Sequence, residues 1–133
     1  MDTLYIVWND KYHVGVPIID EQHRGIVSAI NTLFEFIRQG HGQEALKPTF
    51  LVLEQYTRLH FITEQRLLQE IEYPNLEAHI GLHKKLIDNT EQIKRTSLTN
   101  NDPDMVMVFL KEWWLGHINK EDRKYAPYVA NRY

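Results

Sequence analysis

The stretch Leu53–Leu86, LEQYTRLHFITEQRLLQEIEYPNLEAHIGLHKKL, sets ionisable side chains where a helix would ordinarily bury leucine. Leu53, Thr57, His60, Glu64, Leu67 and Ile71 follow one another at steps of three and four, the spacing of one buried helical stripe. Tyr73-Pro74 stops the pattern, because the residue before a proline is driven out of helical geometry. Leu76, His79, His83, Leu86 and Ile93 then resume it, with Asn75 placed as a cap and Thr90 as a soft point in the stripe. Two helices joined by so short a turn run antiparallel. The polar residues late in the first therefore face those early in the second.

Working outward, the same rhythm appears on both sides. Ile19, His23, Ile26, Ile30, Leu33 and Ile37 define a helix over about Asp20–Gln39, ended by Gly40-His41-Gly42. The second helix is predicted over about Ala45–Glu72, with Pro48 in its first turn. The third is predicted over about Leu76–Arg95, followed by a polar loop from Thr96 to Asn101. Asp102-Pro103 reads as a cap and a first-turn proline opening a last helix, whose stripe is Val106, Leu110, Trp113 and His117. With no strand-like alternation, the fold expected is all-α: an antiparallel up-down-up-down four-helix bundle with an irregular N-terminal arm. A chain of 133 residues supplies one core, hence a single domain over residues 1–133.

Composition excludes several functions. There is no cysteine, so disulfides, thiolate metal sites and cysteine nucleophiles are absent. The net charge of -3 comes without a basic stripe or an acidic tail, so nucleic acid is not an expected partner. No segment has the length and apolarity of a membrane span or the form of a secretory leader, which reads as a cytoplasmic protein with no membrane partner.

What remains is the polar content of the core. His23, His60, Glu64, His79, His83, His117 and Asp122 fall on four seams and, in an up-down bundle, converge towards one end, with His60 at the deeper edge. Each costs several kcal/mol if buried alone, roughly, unless it is paired or bound to metal. A dinuclear metal site accounts for all of them together. Residues four apart on a helix are neighbours, so His79 and His83 suit one ion and His60 with Glu64 reach towards two. Asp122, five residues after His117, faces inward only if the last helix ends or loosens near Glu121. His13 in the arm and His41 between glycines are expected to face solvent. Phe34, Phe61 and Tyr56 are expected in the core, and the Tyr125–Tyr133 tail as a strap without a catalytic group.

Ile19-Asp-Glu-Gln-His23, His60-Phe-Ile-Thr-Glu64, His79-Ile-Gly-Leu-His83 and His117-Ile-Asn-Lys-Glu-Asp122 together resemble the signature of the hemerythrins, in their short bacterial form, the bacteriohemerythrins. The resemblance covers nearly the whole chain, including Trp8, Val14-Gly15 and Tyr73-Pro74. It implies two Fe ions: His79, His83 and His117 on one, His23 and His60 on the other, Glu64 and Asp122 bridging, with an oxo or hydroxo bridge. It further implies a diferrous deoxy form, a diferric oxy or met form, and reversible O2 binding at the two-histidine iron, for oxygen transport, storage or sensing.

Coordination chemistry agrees. Two octahedral ions offer about twelve positions, and this ligand set with one bridge leaves one open. Neutral imidazoles favour the ferrous state, whereas Glu-rich di-iron sites favour oxygen cleavage. The reading is therefore a binding protein and not an enzyme. The alternatives are a di-iron redox enzyme, acting on peroxide or nitric oxide or oxidising iron, and an iron store. Partners are O2 and, downstream, an O2-consuming enzyme, with a monomer or weak dimer as the assembly. Trp113, Trp114 and Phe61 are expected at the O2 pocket. Trp114 stands where the family usually carries leucine, and it either packs in an interhelical groove or narrows the oxygen route.

Overall fold

The computed structural model of the chain describes residues 4–130, apart from the side chains of residues 113–115 and 119. Four helical segments form the bundle: α1 (Pro17–Arg38), α2 (Gly42–Glu70), α3 (Leu76–Asn100) and α4, which starts as a regular helix at Pro103–Phe109. Beyond Phe109, α4 widens into π-helical turns over Leu110–Leu115 and His117–Glu121, then tightens into a 3-10 turn, Asp122–Tyr125, before the short α5 (Ala126–Val129). Connections of a few residues make successive helices antiparallel, and α4 packs on α1 to close the ring. Among the described residues there is no strand, and no helix is long and apolar enough to cross a membrane.

Several boundaries differ from those expected, each for a local reason. α1 starts at Pro17, a first-turn proline, and Asp20 accepts hydrogen bonds from the Val14 and Gly15 amides (2.8 and 3.3 Å), tying the arm to the helix start. α2 begins at Gly42, so Pro48 lies inside the helix and not in its first turn. Gly40, at φ 80°, makes the turn between them. Asn75 makes no side-chain cap; its carbonyl accepts from the His79 amide at 3.0 Å. Thr96–Asn100 continues α3, its threonine hydroxyls turned back to carbonyls four residues earlier, until Asn101 takes the left-handed exit and its amide donates to the Ser97 carbonyl. The cap at Asp102 is as expected, accepting from the Met105 amide at 3.2 Å.

Two apolar layers make the core. The larger contains Ile26, Ile30, Leu33, Phe50, Leu53, Leu86, Val106 and Leu110. The smaller contains Val14, Val16, Ile19, Leu67, Leu68, Ile71, Tyr73, Tyr125 and Val129. Between them the chain places a polar slice. On α1, His23 lies between Ile19 and Ile26; on α2, His60 and Glu64 between Leu53 and Leu67; on α3, His79 and His83 precede Leu86; on α4, His117 and Asp122 follow Leu110 and precede Tyr125. The arm lies along α1, with Ile6 buried and its amide and carbonyl both bonded to the Asn31 side chain at 2.7 and 2.9 Å, while Leu4 and Val7 stay exposed.

A candidate metal centre between two apolar layers

All seven of the polar core residues named from sequence meet in this slice, each less than a tenth exposed. Their ligand-type atoms form two groups, Glu64, His79, His83, His117 and Asp122 in one and His23, His60, Glu64 and Asp122 in the other, with the atoms of each group within 4.8 Å of one another. Both carboxylates belong to both groups. Glu64 turns Oε1 to His79 Nε2 and His83 Nε2 (2.5 and 2.8 Å) and Oε2 towards His60 Nε2 (3.4 Å). Asp122 turns Oδ1 to His117 Nε2 and His79 Nε2 (2.9 and 3.2 Å) and Oδ2 to His23 Nε2 and His60 Nε2 (2.8 and 3.6 Å).

Asp122 reaches the slice because of the widened end of α4. In a regular helix, residues five apart point in different directions. In the π-helical turn the Asp122 amide donates to the His117 carbonyl, and the wider winding brings both side chains to one face. Loosening was expected near Glu121; it begins at Leu110, eleven residues earlier in the chain.

Hydrogen bonds at the periphery fix the rings. His60 Nδ1 lies 3.0 Å from Gln22 Oε1, and Gln22 Nε2 donates to Thr63 Oγ1 at 3.2 Å, so the Gln22 oxygen accepts from His60 Nδ1–H and the ring turns Nε2 inward. There it faces His23 Nε2 at 3.2 Å. Gln65 lies 2.8 Å from His83 Nδ1 through its amide nitrogen; a half-turn of that amide puts its oxygen there to accept from Nδ1, and either way Gln65 fixes the ring with Nε2 turned inward. Phe61 stacks flat on His83, with centroids 3.7 Å apart and planes 6° apart, and shields that side.

The electrostatics are those of a site built for cations. Burial and the Asp122 charge push the Glu64 carboxyl up, but attraction from His60 and hydrogen bonds from His79 and His83 outweigh them and leave it at about 2. Burial likewise raises Asp122, and attraction to His117, 2.9 Å away, with the hydrogen bond from His23 holds it well below the usual range. Burial lowers His79, while the close approach of Asp122 Oδ1 at 3.2 Å and the hydrogen bond to Glu64 overcome that and carry it to about 10. His117 is raised against its burial by Asp122, whereas burial prevails at His83 and lowers it.

The slice nonetheless lacks partners for its own atoms. Among the described residues, His23 Nδ1, His117 Nε2 and Asp122 Oδ1 are buried without a hydrogen bond; His117 Nε2 and Asp122 Oδ1 are close but misaligned. Opposed imidazole nitrogens, His23 Nε2 against His60 Nε2, and an orphaned carboxylate oxygen, Asp122 Oδ1, turned into the same slice fit metal ions between them.

Besides Gln22, which holds His60, two residues enter the site that sequence reasoning gave no role in it. Tyr125, assigned to a terminal strap, is wholly buried and donates from its hydroxyl to Glu64 Oε2 at 2.8 Å. Burial, then the Glu64 and Asp122 charges, push that hydroxyl far above the ordinary phenol range, so it stays a donor. Gln65 is the other. The signal available was register: Tyr125 follows Asp122 by three and Gln65 adjoins Glu64. His13 and His41 stand apart from the cluster, His41 exposed, His13 half-buried and bonded by the Trp8 indole N–H at 3.1 Å. Tyr56, expected in the core, is exposed. Trp113 and Trp114 lie outside the described side chains.

Fold and cluster together define a helical-bundle protein with a buried histidine–carboxylate site for cations. The chain matches the family model for the hemerythrin HHE cation binding domain over residues 14–129, and it belongs to the hemerythrin family. It is 29% identical to a bacteriohemerythrin of Stenotrophomonas maltophilia over 93% of this chain and 81% of that protein. It is 24% identical to one of Clostridium acetobutylicum over 90% and 97%, and 25% identical to one of Methylococcus capsulatus over 90% and 92%.

Proposed function

We propose that the chain, folded as one domain, binds O2 reversibly at a di-iron centre and serves oxygen transport, storage or sensing. His79, His83 and His117 hold one iron, His23 and His60 the other, and Glu64 and Asp122 bridge them. The observation that carries this reading is the division of both carboxylates, each with one oxygen towards the three-histidine group and the other towards the two-histidine group. The two irons would supply the electrons that O2 takes up on binding and returns on release.

The residues then have distinct tasks. Five neutral imidazoles favour the ferrous state over the higher oxidation states that carboxylate-rich sites support. Gln22 and Gln65 orient His60 and His83 through Nδ1, the usual means by which an outer partner fixes a ligating ring. The apolar layers on either side keep bulk water and reductants from the centre, which suits binding over turnover. Family membership in a cation-binding domain supports iron as the metal.

The test is an optical one. Purified protein, loaded with iron and reduced without oxygen, should develop a visible band on adding O2 and lose it when O2 is removed, through repeated cycles. Prompt irreversible oxidation, or sustained turnover with a reductant and peroxide or nitric oxide, would replace this reading with a redox enzyme.

A further inference from the structure

We propose that Tyr125 is a positioning residue for the metal position between His23 and His60: its hydroxyl fixes the Glu64 oxygen facing those histidines and sets how tightly that position, and not its neighbour, is held. The inference rests on the reading of the cluster as a two-metal site.

The two oxygens of Glu64 are held unequally. Oε1 has two short contacts, with His79 Nε2 and His83 Nε2 at 2.5 and 2.8 Å. Oε2 has His60 Nε2 at 3.4 Å, too long for a strong charge-assisted bond, and the Tyr125 hydroxyl at 2.8 Å. Among the described residues, Tyr125 is therefore the one short contact on the oxygen that serves the two-histidine side. Without it, the carboxylate is held at Oε1 alone, and a tilt pivoting on that oxygen displaces Oε2 from where it would bridge.

The hydroxyl is itself rigidly placed. In a 3-10 turn, side chains three apart eclipse, so the turn Asp122–Tyr125 presents the Asp122 carboxylate and the Tyr125 ring on one side. The ring has no exposure, and it is braced edge-on by Tyr73 (centroids 6.2 Å apart) and His79 (5.9 Å). Tyr125 thus joins the end of α4 to Glu64 on α2. The position it governs is the one at which the proposed centre takes O2.

Calorimetric and optical titration of the metal-free full-length chain with Co2+, without oxygen, tests the inference. The wild type should take two ions per chain. Tyr125→Phe keeps the ring and loses the donor, and one binding step should weaken by about ten- to a hundredfold, the usual effect of removing an outer partner. The other step should stay within about twofold. In a His60→Ala background, which leaves the three-histidine position, Tyr125→Phe should have no effect. Equal weakening of both steps, the mark of a merely structural role, or no change in either would overturn the inference while leaving the two-metal reading intact. A wild type that never binds two ions would overturn both. Should Tyr125→Phe fail to fold, the wild type answers by proton NMR. One slowly exchanging hydroxyl resonance should be shifted further by Co2+ in the wild type, which fills both positions, than in His60→Ala, which fills one; equal shifts would overturn the inference.

Discussion

A histidine in a helical stripe is ordinarily a surface residue whose face has been misjudged. Here His23, His60, His79, His83 and His117 are all buried because each has a carboxylate oxygen within 3.6 Å at Nε2. Outer partners are where single substitutions should speak most clearly. Gln65→Leu removes the hydrogen bond to His83 Nδ1, and metal affinity should fall by about ten- to a hundredfold with little change in helix content. Equilibrium dialysis against a competing chelator measures it, and an unchanged constant would show that His83 is held by packing alone.

The raised and lowered pKa values also fix how the metal-free chain responds to pH. Glu64, at about 2 against an ordinary 4.5, contributes stability that is complete above 4.5 and disappears as pH falls through 2. His79, at about 10 against 6.5, contributes stability that is complete below 6.5 and disappears as pH rises through 10, and His117 acts in the same direction. His83, pushed down by burial, acts oppositely below its ordinary value. The urea midpoint of the metal-free chain should therefore decline between pH 6.5 and 10. With metal bound, the imidazoles carry no inward proton and the decline should largely vanish; a midpoint rising over that range would contradict the assignment.

At the scale of elements, the end of α4 is the unusual part. Stripe periodicity locates α1 to α3 because their buried faces repeat at helical spacing, and it locates the five histidines and Glu64 for the same reason, but not Asp122, which lies off the stripe. It could not locate the π-helical widening, since periodicity presumes the winding it measures; only the five-residue gap from His117 to Asp122 hinted at it. Boundary errors had simpler causes. Thr96–Asn100 reads as a loop by composition, but its threonines lie exposed on a helical end that closes only at the left-handed Asn101. Tyr125 was illegible because a strap and an inward turn read alike without the backbone.

The element scale carries two stability predictions. Asp102→Ala removes the cap of α4 and should cost about 1 kcal/mol in urea unfolding. Pro48, seventh in α2, lacks the amide that would continue the helix. Pro48→Ala should therefore stabilise the chain, by up to about 3 kcal/mol less what the freer unfolded chain recovers.

For the whole molecule, the polar slice is a weakness that metal converts into a tie between helices. Two apolar layers hold the bundle together, yet the slice between them contains orphaned atoms and two ionised carboxylates. Metal bound by residues from α1, α2, α3 and the end of α4 links all four helices, and its binding free energy adds to folding. Stripping it should lower the thermal midpoint by several degrees or more. Hydrogen exchange should rise first in residues 110–125, where the winding is least regular.

The central claim is reversible uptake of O2 by a pair of irons, and the most direct measurement is gas stoichiometry. Reduced, iron-loaded protein in a sealed oxygen-electrode cell should consume one O2 for every two irons, and evacuation should release the same amount. Oxygen that is consumed and not returned, or uptake that does not scale with paired iron, would contradict it.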